Sequence, residues 1–183
     1  MARALFVTPE PPYPLRGGGA MRSASLLHYL SSRYEVDAIG FSPKWTEALP
    51  PELVSDSLTV SLKRHSRTVL ARAWRNGGRL LRGVAPLSDR FSGYEMEINQ
   101  WLRGRNYDVA VLEHFWTASY LPNVRPHARA VILDLHNIES VWHERCAAVE
   151  SGPRAVALRR FSAASRRDEQ LWLPQFDHCQ KLR

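Results

Sequence analysis

The chain has 183 residues, 44% of them hydrophobic and 23% charged, which suits one globular domain with its own core and excludes a disordered segment. Lys and Arg outnumber Asp and Glu by 25 to 18, giving a formal charge of +7 and a basic pI that favours anionic partners: nucleic acid, acidic lipid or phosphorylated substrates. Cys146 and Cys179 are the only cysteines and form no CxxC pair, which argues against a disulfide framework, a redox centre or a zinc site.

The opening Met1-Ala2-Arg3 leads into a short apolar run that Pro9 ends, unlike a signal peptide, and no stretch is apolar enough to cross a bilayer. The expected location is therefore the cytoplasm, with any membrane contact peripheral and at the inner face.

Residues 4–7 are apolar without alternation, as in a strand buried on both faces. A proline-rich bend follows, with Pro11, Pro12 and Pro14, and then Arg16 and the run Gly17-Gly18-Gly19. A helix is expected from about 20 to 32, where Met21, Ala24, Leu27 and Leu30 form one stripe. Residues 34–41 read as a second strand, Pro43, Pro50 and Pro51 mark a loop, and residues 58–62 read as a third strand.

Residues 66–82 form a basic helical segment in which Arg72, Arg75, Arg79 and Arg82 share one face, while Gly77-Gly78 weakens its middle. Residues 83–92 read as loop. Tyr94, Ile98, Trp101 and Leu102 recur at helical spacing up to Gly104. Residues 107–112 and 130–135 are two more strands, followed respectively by Glu113-His114-Phe115-Trp116 and by His136-Asn137-Ile138-Glu139. An arginine-rich helix is expected from about 153 to 173, and residues 176–179 open one more strand.

Strands alternating with helices predict an α/β fold: a Rossmann-like parallel sheet with helices on both faces. Right-handed crossovers place the strand ends and their loops on one edge. Three loops should meet there, carrying Gly17 to Arg22, Glu113 to Trp116 and His136 to Glu139. The glycine run, near a helix start, suits an anion. It is neither a dinucleotide fingerprint nor a phosphate loop, because seven residues separate it from Pro9 and no GK[ST] follows. The alternative is a plain surface connection.

His136, at a strand end, can donate to a phosphate or a sugar hydroxyl; the alternative is a buried histidine satisfied by a carbonyl. Glu139 either caps the next helix or meets a substrate hydroxyl. Glu113 and His114 make a second polar wall or serve the start of a helix. His136, Glu139 and His143 match no metal-ligand spacing, so no metal is expected. A serine nucleophile elbow and nucleic-acid motifs are both missing from the sequence. The arginine stripe is either a solvated face or a surface that faces anionic membrane, with Trp74 and Leu81 as interfacial anchors.

Taken together, the Leu5-Phe6-Val7-Thr8-Pro9 opening, Pro11-Pro12-Tyr13-Pro14, Gly17-Gly18-Gly19, the helix holding Arg22 and Leu26, Tyr107-Asp108-Val109 and Asp134-Leu135-His136-Asn137-Ile138-Glu139-Ser140 resemble the N-terminal domain of family-four retaining glycosyltransferases. The resemblance implies the N-terminal half of a GT-B architecture over residues 1–183, with the C-terminal donor-binding domain absent. It implies transfer from a nucleotide-sugar, a co-substrate rather than a cofactor, to a lipid-linked or polysaccharide acceptor. In that reading His136 is catalytic, near the transferred sugar. Gly17, Gly18, Gly19, Arg22, Glu113, His114, Asn137 and Glu139 border the donor phosphates and the substrate. Partners would be the nucleotide-sugar, a glycan or lipid-linked acceptor, an anionic membrane surface and a separate C-terminal half, without nucleic acid. Half a cleft forfeits most of the charge stabilisation of the leaving group, so the lone chain is expected to transfer sugar poorly. A non-catalytic module binding a membrane or a partner is the rival expectation.

Overall fold

The computed structural model describes residues 2–15, 17–41, 49–63 and 65–181. Arg16 and Pro43, both drawn into the sequence reading, lie outside them. Six strands form the sheet: β1 (Arg3–Thr8), β2 (Glu35–Gly40), β3 (Asp56–Thr59), β4 (Tyr107–Glu113), β5 (Ala128–Leu135) and β6 (His178–Lys181). All neighbours pair in parallel, in the order β3-β2-β1-β4-β5-β6. The order reverses between β1 and β4, and in open sheets of this kind ligands bind beyond the carboxyl ends of the strands at such a reversal.

Among the described residues seven α-helices connect the strands: α1 (Gly17–Ser31), α2 (Val69–Arg82), α3 (Pro86–Phe91), α4 (Glu95–Leu102), α5 (Leu121–Val124), α6 (Glu139–Val149) and α7 (Gly152–Trp172). Side chains alternate across β1 and so feed two cores. Leu5 and Val7 join Phe91, Ile98, Leu102 and Tyr120 on one face. Ala4 and Phe6 join Leu27 and Leu30 of α1 on the other. The central strands are therefore covered on both sides, which explains their unbroken apolar runs.

Several boundaries differ from expectation. The three glycines are not a free loop; they are the first turn of α1. Gly17 has a φ of 84°, where an L side chain is strained, so a glycine suits the entry to this helix. Strand β3 begins two residues early, because its pairing starts at Asp37↔Asp56. The expected loop over residues 83–92 contains α3, started by Pro86 at a helical position whose N–H would be unsatisfied in any case. Helix α2 starts at Val69, where the Thr68 side chain caps it by accepting from the Ala71 N–H at 3.3 Å. It runs unbroken through Gly77-Gly78.

The amino-terminal edge of the sheet is held by Asp37, 1% exposed. Its Oδ2 accepts from Arg3 Nη2 at 2.7 Å, Arg105 Nη1 at 3.1 Å and the Tyr107 hydroxyl at 2.8 Å. Burial and the Asp37 hydrogen bond push the Tyr107 phenol well above its ordinary pKa, so it stays a donor. This cluster supports three strands at the edge opposite the loops that carry the candidate chemistry.

Candidate functional site

The carboxyl edge of β4 and β5 concentrates ionisable groups in a dry environment. Glu113 ends β4 and pairs in register with Asp134 of β5. A two-residue period puts His136 on the same side of the chain as Asp134. The ligand-type atoms of Glu113, Asp134 and His136 lie within 4.8 Å of one another.

Glu113 is fully buried, and neither of its carboxylate oxygens has a hydrogen-bond partner. His136 Nε2 stands 3.5 Å from Glu113 Oε1 and 3.7 Å from Asp134 Oδ2, close enough for charge attraction but long for hydrogen bonds. Asp134 is also buried and accepts from the Arg22 guanidinium of α1 through Oδ1, while its Oδ2 is unpartnered. A buried polar group without a partner costs roughly 1–3 kcal/mol, and such costs concentrate at functional sites.

The Arg22–Asp134 pair ties the first turns of α1 to the end of β5. It brings the glycine turn to the same edge of the sheet as His136. A side chain added at Gly17, Gly18 or Gly19 would meet nothing within 4 Å, so the space beside this turn is open. Arg22, expected at the donor phosphates, donates to Asp134.

His114 is the one described non-glycine residue with positive φ, at 62° with ψ 146°. L residues rarely occupy that region, and strain of this kind persists only where surrounding contacts hold it. Here the His114 N–H donates to the Asp134 carbonyl at 2.9 Å. The ring lies between Trp116, at 4.4 Å centroid to centroid, and His136, at 3.6 Å. Trp116 in turn stacks on Phe91 at 5.5 Å and 11°. Four rings thus form a ladder from α3 to the carboxylates. Burial, the neighbouring His136 and Arg22 all disfavour the imidazolium of His114, whose pKa falls to about 3. It is neutral at physiological pH.

Glu139 opens α6 and is buried. Burial raises its carboxyl above the ordinary value; the nearby Trp116 N–H opposes this without closing a hydrogen bond of normal geometry. The N-terminus of α6 has no cap of its own. Glu169 of α7 supplies one, accepting from the Ser140 N–H at 2.9 Å and the Ser140 hydroxyl at 2.5 Å. Asn137 is exposed beside the cluster. His143 packs on Trp142 and Phe161 within α6 and α7, apart from the cation-sized group of Glu113, Asp134 and His136.

Those last three residues could hold a divalent cation, a set that the sequence reading, centred on Glu139 and His143, did not consider. Asp134 itself was missed. The available signal was an acid two residues before His136 on a strand.

The arginine stripe divides. Arg79 turns inward and is buried; its Nε donates to Asp89 Oδ2 at 2.8 Å, and Arg82 Nη2 donates to Asp89 Oδ1 at 2.8 Å. Burial opposes charge on Asp89, but the two guanidiniums outweigh it and hold the carboxyl below its ordinary value. Arg79 therefore does not face outward as the helical spacing had suggested. Arg75 lines a cleft, and Arg72 is exposed. The side of α2 that faces solvent most fully is apolar: Leu70, Trp74 and Leu81 are 84%, 86% and 90% exposed. Among the described residues no helix is long and apolar enough to cross a membrane.

The sequence matches no protein-family model and no curated protein. Among solved structures, the chain is similar to a sucrose-phosphate synthase from Thermosynechococcus elongatus, with a TM-score of 0.53 and 10% identity over 98% of this chain and 47% of that one. It is also similar to the N-terminal domain of a trehalose-6-phosphate phosphatase from Candida albicans, with a TM-score of 0.47 and 17% identity over 88% of this chain and 38% of that one. The chain spans less than half of either protein's length. The likeness to the synthase shows the fold, a Rossmann-like α/β domain with a parallel six-stranded sheet.

Proposed function

We propose that this chain is the acceptor-side domain of a glycosyltransferase of the retaining, GT-B type, acting from a nucleotide-sugar onto a lipid-linked or polysaccharide acceptor. The observation that carries this reading is the buried, unpartnered Glu113 carboxylate facing His136 at the ends of β4 and β5, next to the point where strand order reverses. A carboxylate so placed can orient the imidazole beside it, and that imidazole can position the transferred sugar. The α1 N-terminus at Gly17, Gly18 and Gly19 faces the donor diphosphate. Arg22 acts through Asp134, fixing that turn against β5. In this reading a second domain supplies the remaining donor contacts, because the leaving diphosphate needs donors on both sides of the cleft.

The test is calorimetric binding of nucleotide-sugars to the chain alone and mixed with a candidate donor-binding half, followed by a transfer assay. Binding and transfer in the mixture, with transfer lost in His136→Ala, support the reading. No binding in either sample, with His136→Ala without effect, overturns it.

A second reading is a module that docks on anionic membrane, favoured by the exposed stripe of Leu70, Trp74 and Leu81 on α2. Flotation with vesicles containing acidic lipid tests it. Trp74→Ser should abolish co-flotation, and absence of flotation by the unmodified chain contradicts it.

A further inference from the structure

A cleft of about 980 Å³ opens beside the His136 cluster, and its chemistry is lopsided. Lys63, Arg67, Arg75 and Arg90 all line it, against a single carboxylate, Glu10. Arg79 also lines it but is spent on Asp89. Among the described residues, no carboxylate lies within ion-pair distance of the other four cations. Arg75 is oriented by donating to the Ser66 carbonyl at 2.9 Å. Like charges gathered in a concave, partly desolvated surface repel one another, and an anion relieves that repulsion.

The floor is of another kind. Phe41, Phe91 and Trp116 line it, and Phe91 and Trp116 are nearly parallel. An apolar floor suits the C–H groups of a sugar ring as well as other apolar groups. Trp116 is also the ring that stacks on His114, which in turn contacts His136 at a tilt of 40°. The aromatic floor is thus continuous with the Glu113–His136 pair.

From this juxtaposition we infer that the cleft takes a phosphate-bearing saccharide: a sugar ring on the aromatic floor and its phosphate or diphosphate among Lys63, Arg67, Arg75 and Arg90. The inference rests on the glycosyltransferase reading and narrows the acceptor to an anionic one. The same chemistry is found in a soluble sugar phosphate and in a lipid-diphosphate-linked sugar.

The experiment is isothermal titration of the full chain at 150 mM salt with four probes: a hexose 1-phosphate, the free hexose, inorganic phosphate, and a polyprenyl-diphosphate-linked hexose in detergent micelles. The hexose 1-phosphate should bind at least tenfold more tightly than either of its parts. The Arg67→Glu/Arg90→Glu pair should weaken it at least tenfold with an unchanged circular dichroism spectrum, and the milder Arg67→Gln/Arg90→Gln pair should weaken it in the same direction. A further tenfold gain with the lipid-linked probe assigns the lipid source; equal affinity assigns the soluble one. Equal binding of hexose and hexose 1-phosphate, no binding of any probe, or insensitivity to both charge variants overturns the inference. If His136-dependent transfer to a neutral acceptor persists in that case, the functional reading stands and only the anionic acceptor falls. If sugar phosphate binds as stated but no transfer occurs with any donor, the transferase reading falls and the cleft assignment remains.

Discussion

His114 and His136 lie ring on ring, with centroids 3.6 Å apart, at the ends of adjacent strands. His114 keeps its positive φ there, and burial first, then the neighbouring His136 and Arg22, disfavour charge on its imidazole. Its pKa drops from 6.5 to about 3, so the unfolded chain binds a proton in that interval that the folded chain refuses. Stability is therefore complete above pH 6.5 and declines as pH falls toward 3, by about 2 kcal/mol at pH 5 from this group alone. His143, pushed down by burial, adds in the same direction. Urea unfolding at pH 7 and pH 5 should show this decline, and His114→Asn should reduce it; an equal decline in the variant would rule out His114 as its source.

Asp89 is shared by Arg79 and Arg82, which fastens the C-terminal half of α2 to α3. Asp89→Ala leaves Arg79 buried without its counter-charge. Loss of one partner from a buried pair costs about 3–5 kcal/mol, and partial exposure of Asp89 brings the expected loss to roughly 1–3 kcal/mol. Hydrogen exchange should quicken in α2 and α3 while the β4 and β5 amides stay protected. Uniform quickening across the sheet would contradict so local a role.

Asp37→Asn should separate stability from chemistry. Three donors converge on the one carboxylate oxygen at the amino-terminal edge of the sheet. Removing its charge leaves Arg3 and Arg105 poorly neutralised and should cost roughly 2–4 kcal/mol in thermal or urea unfolding. Ligand binding at the opposite edge should change less than twofold at a temperature where the variant is folded. A tenfold change would show that the two edges are coupled.

The parts of this structure that were legible in the sequence are those set by local pattern. Residues 107–112 and 130–135 announce buried strands because both faces of the sheet are covered, and the 20–32 stripe announces α1 because its apolar residues keep a helical period. Helix α3 escaped because six residues are too few to display a period. The inward turn of Arg79 escaped because its partner, Asp89, lies ten residues on and beyond a turn. Glu113, His114 and His136 were each visible at strand ends. Their meeting depends on β4 and β5 being neighbours with Glu113 opposite Asp134, a matter of strand order that no local pattern encodes. The aromatic ladder through Trp116 and Phe91 likewise needs α3 folded over the end of β4.

The Glu113 carboxylate faces His136 with no hydrogen-bond partner of its own, and the proposed sugar transfer rests on that pair. The decisive measurement is the initial rate of sugar transfer by the chain combined with a donor-binding half, with Glu113 intact and as Glu113→Gln. The substitution keeps the shape of the side chain and removes its charge. If Glu113 orients His136 toward the transferred sugar, the rate should fall at least 100-fold with the melting temperature unchanged or raised. A rate within twofold of the unmodified protein would contradict a catalytic centre at Glu113 and His136.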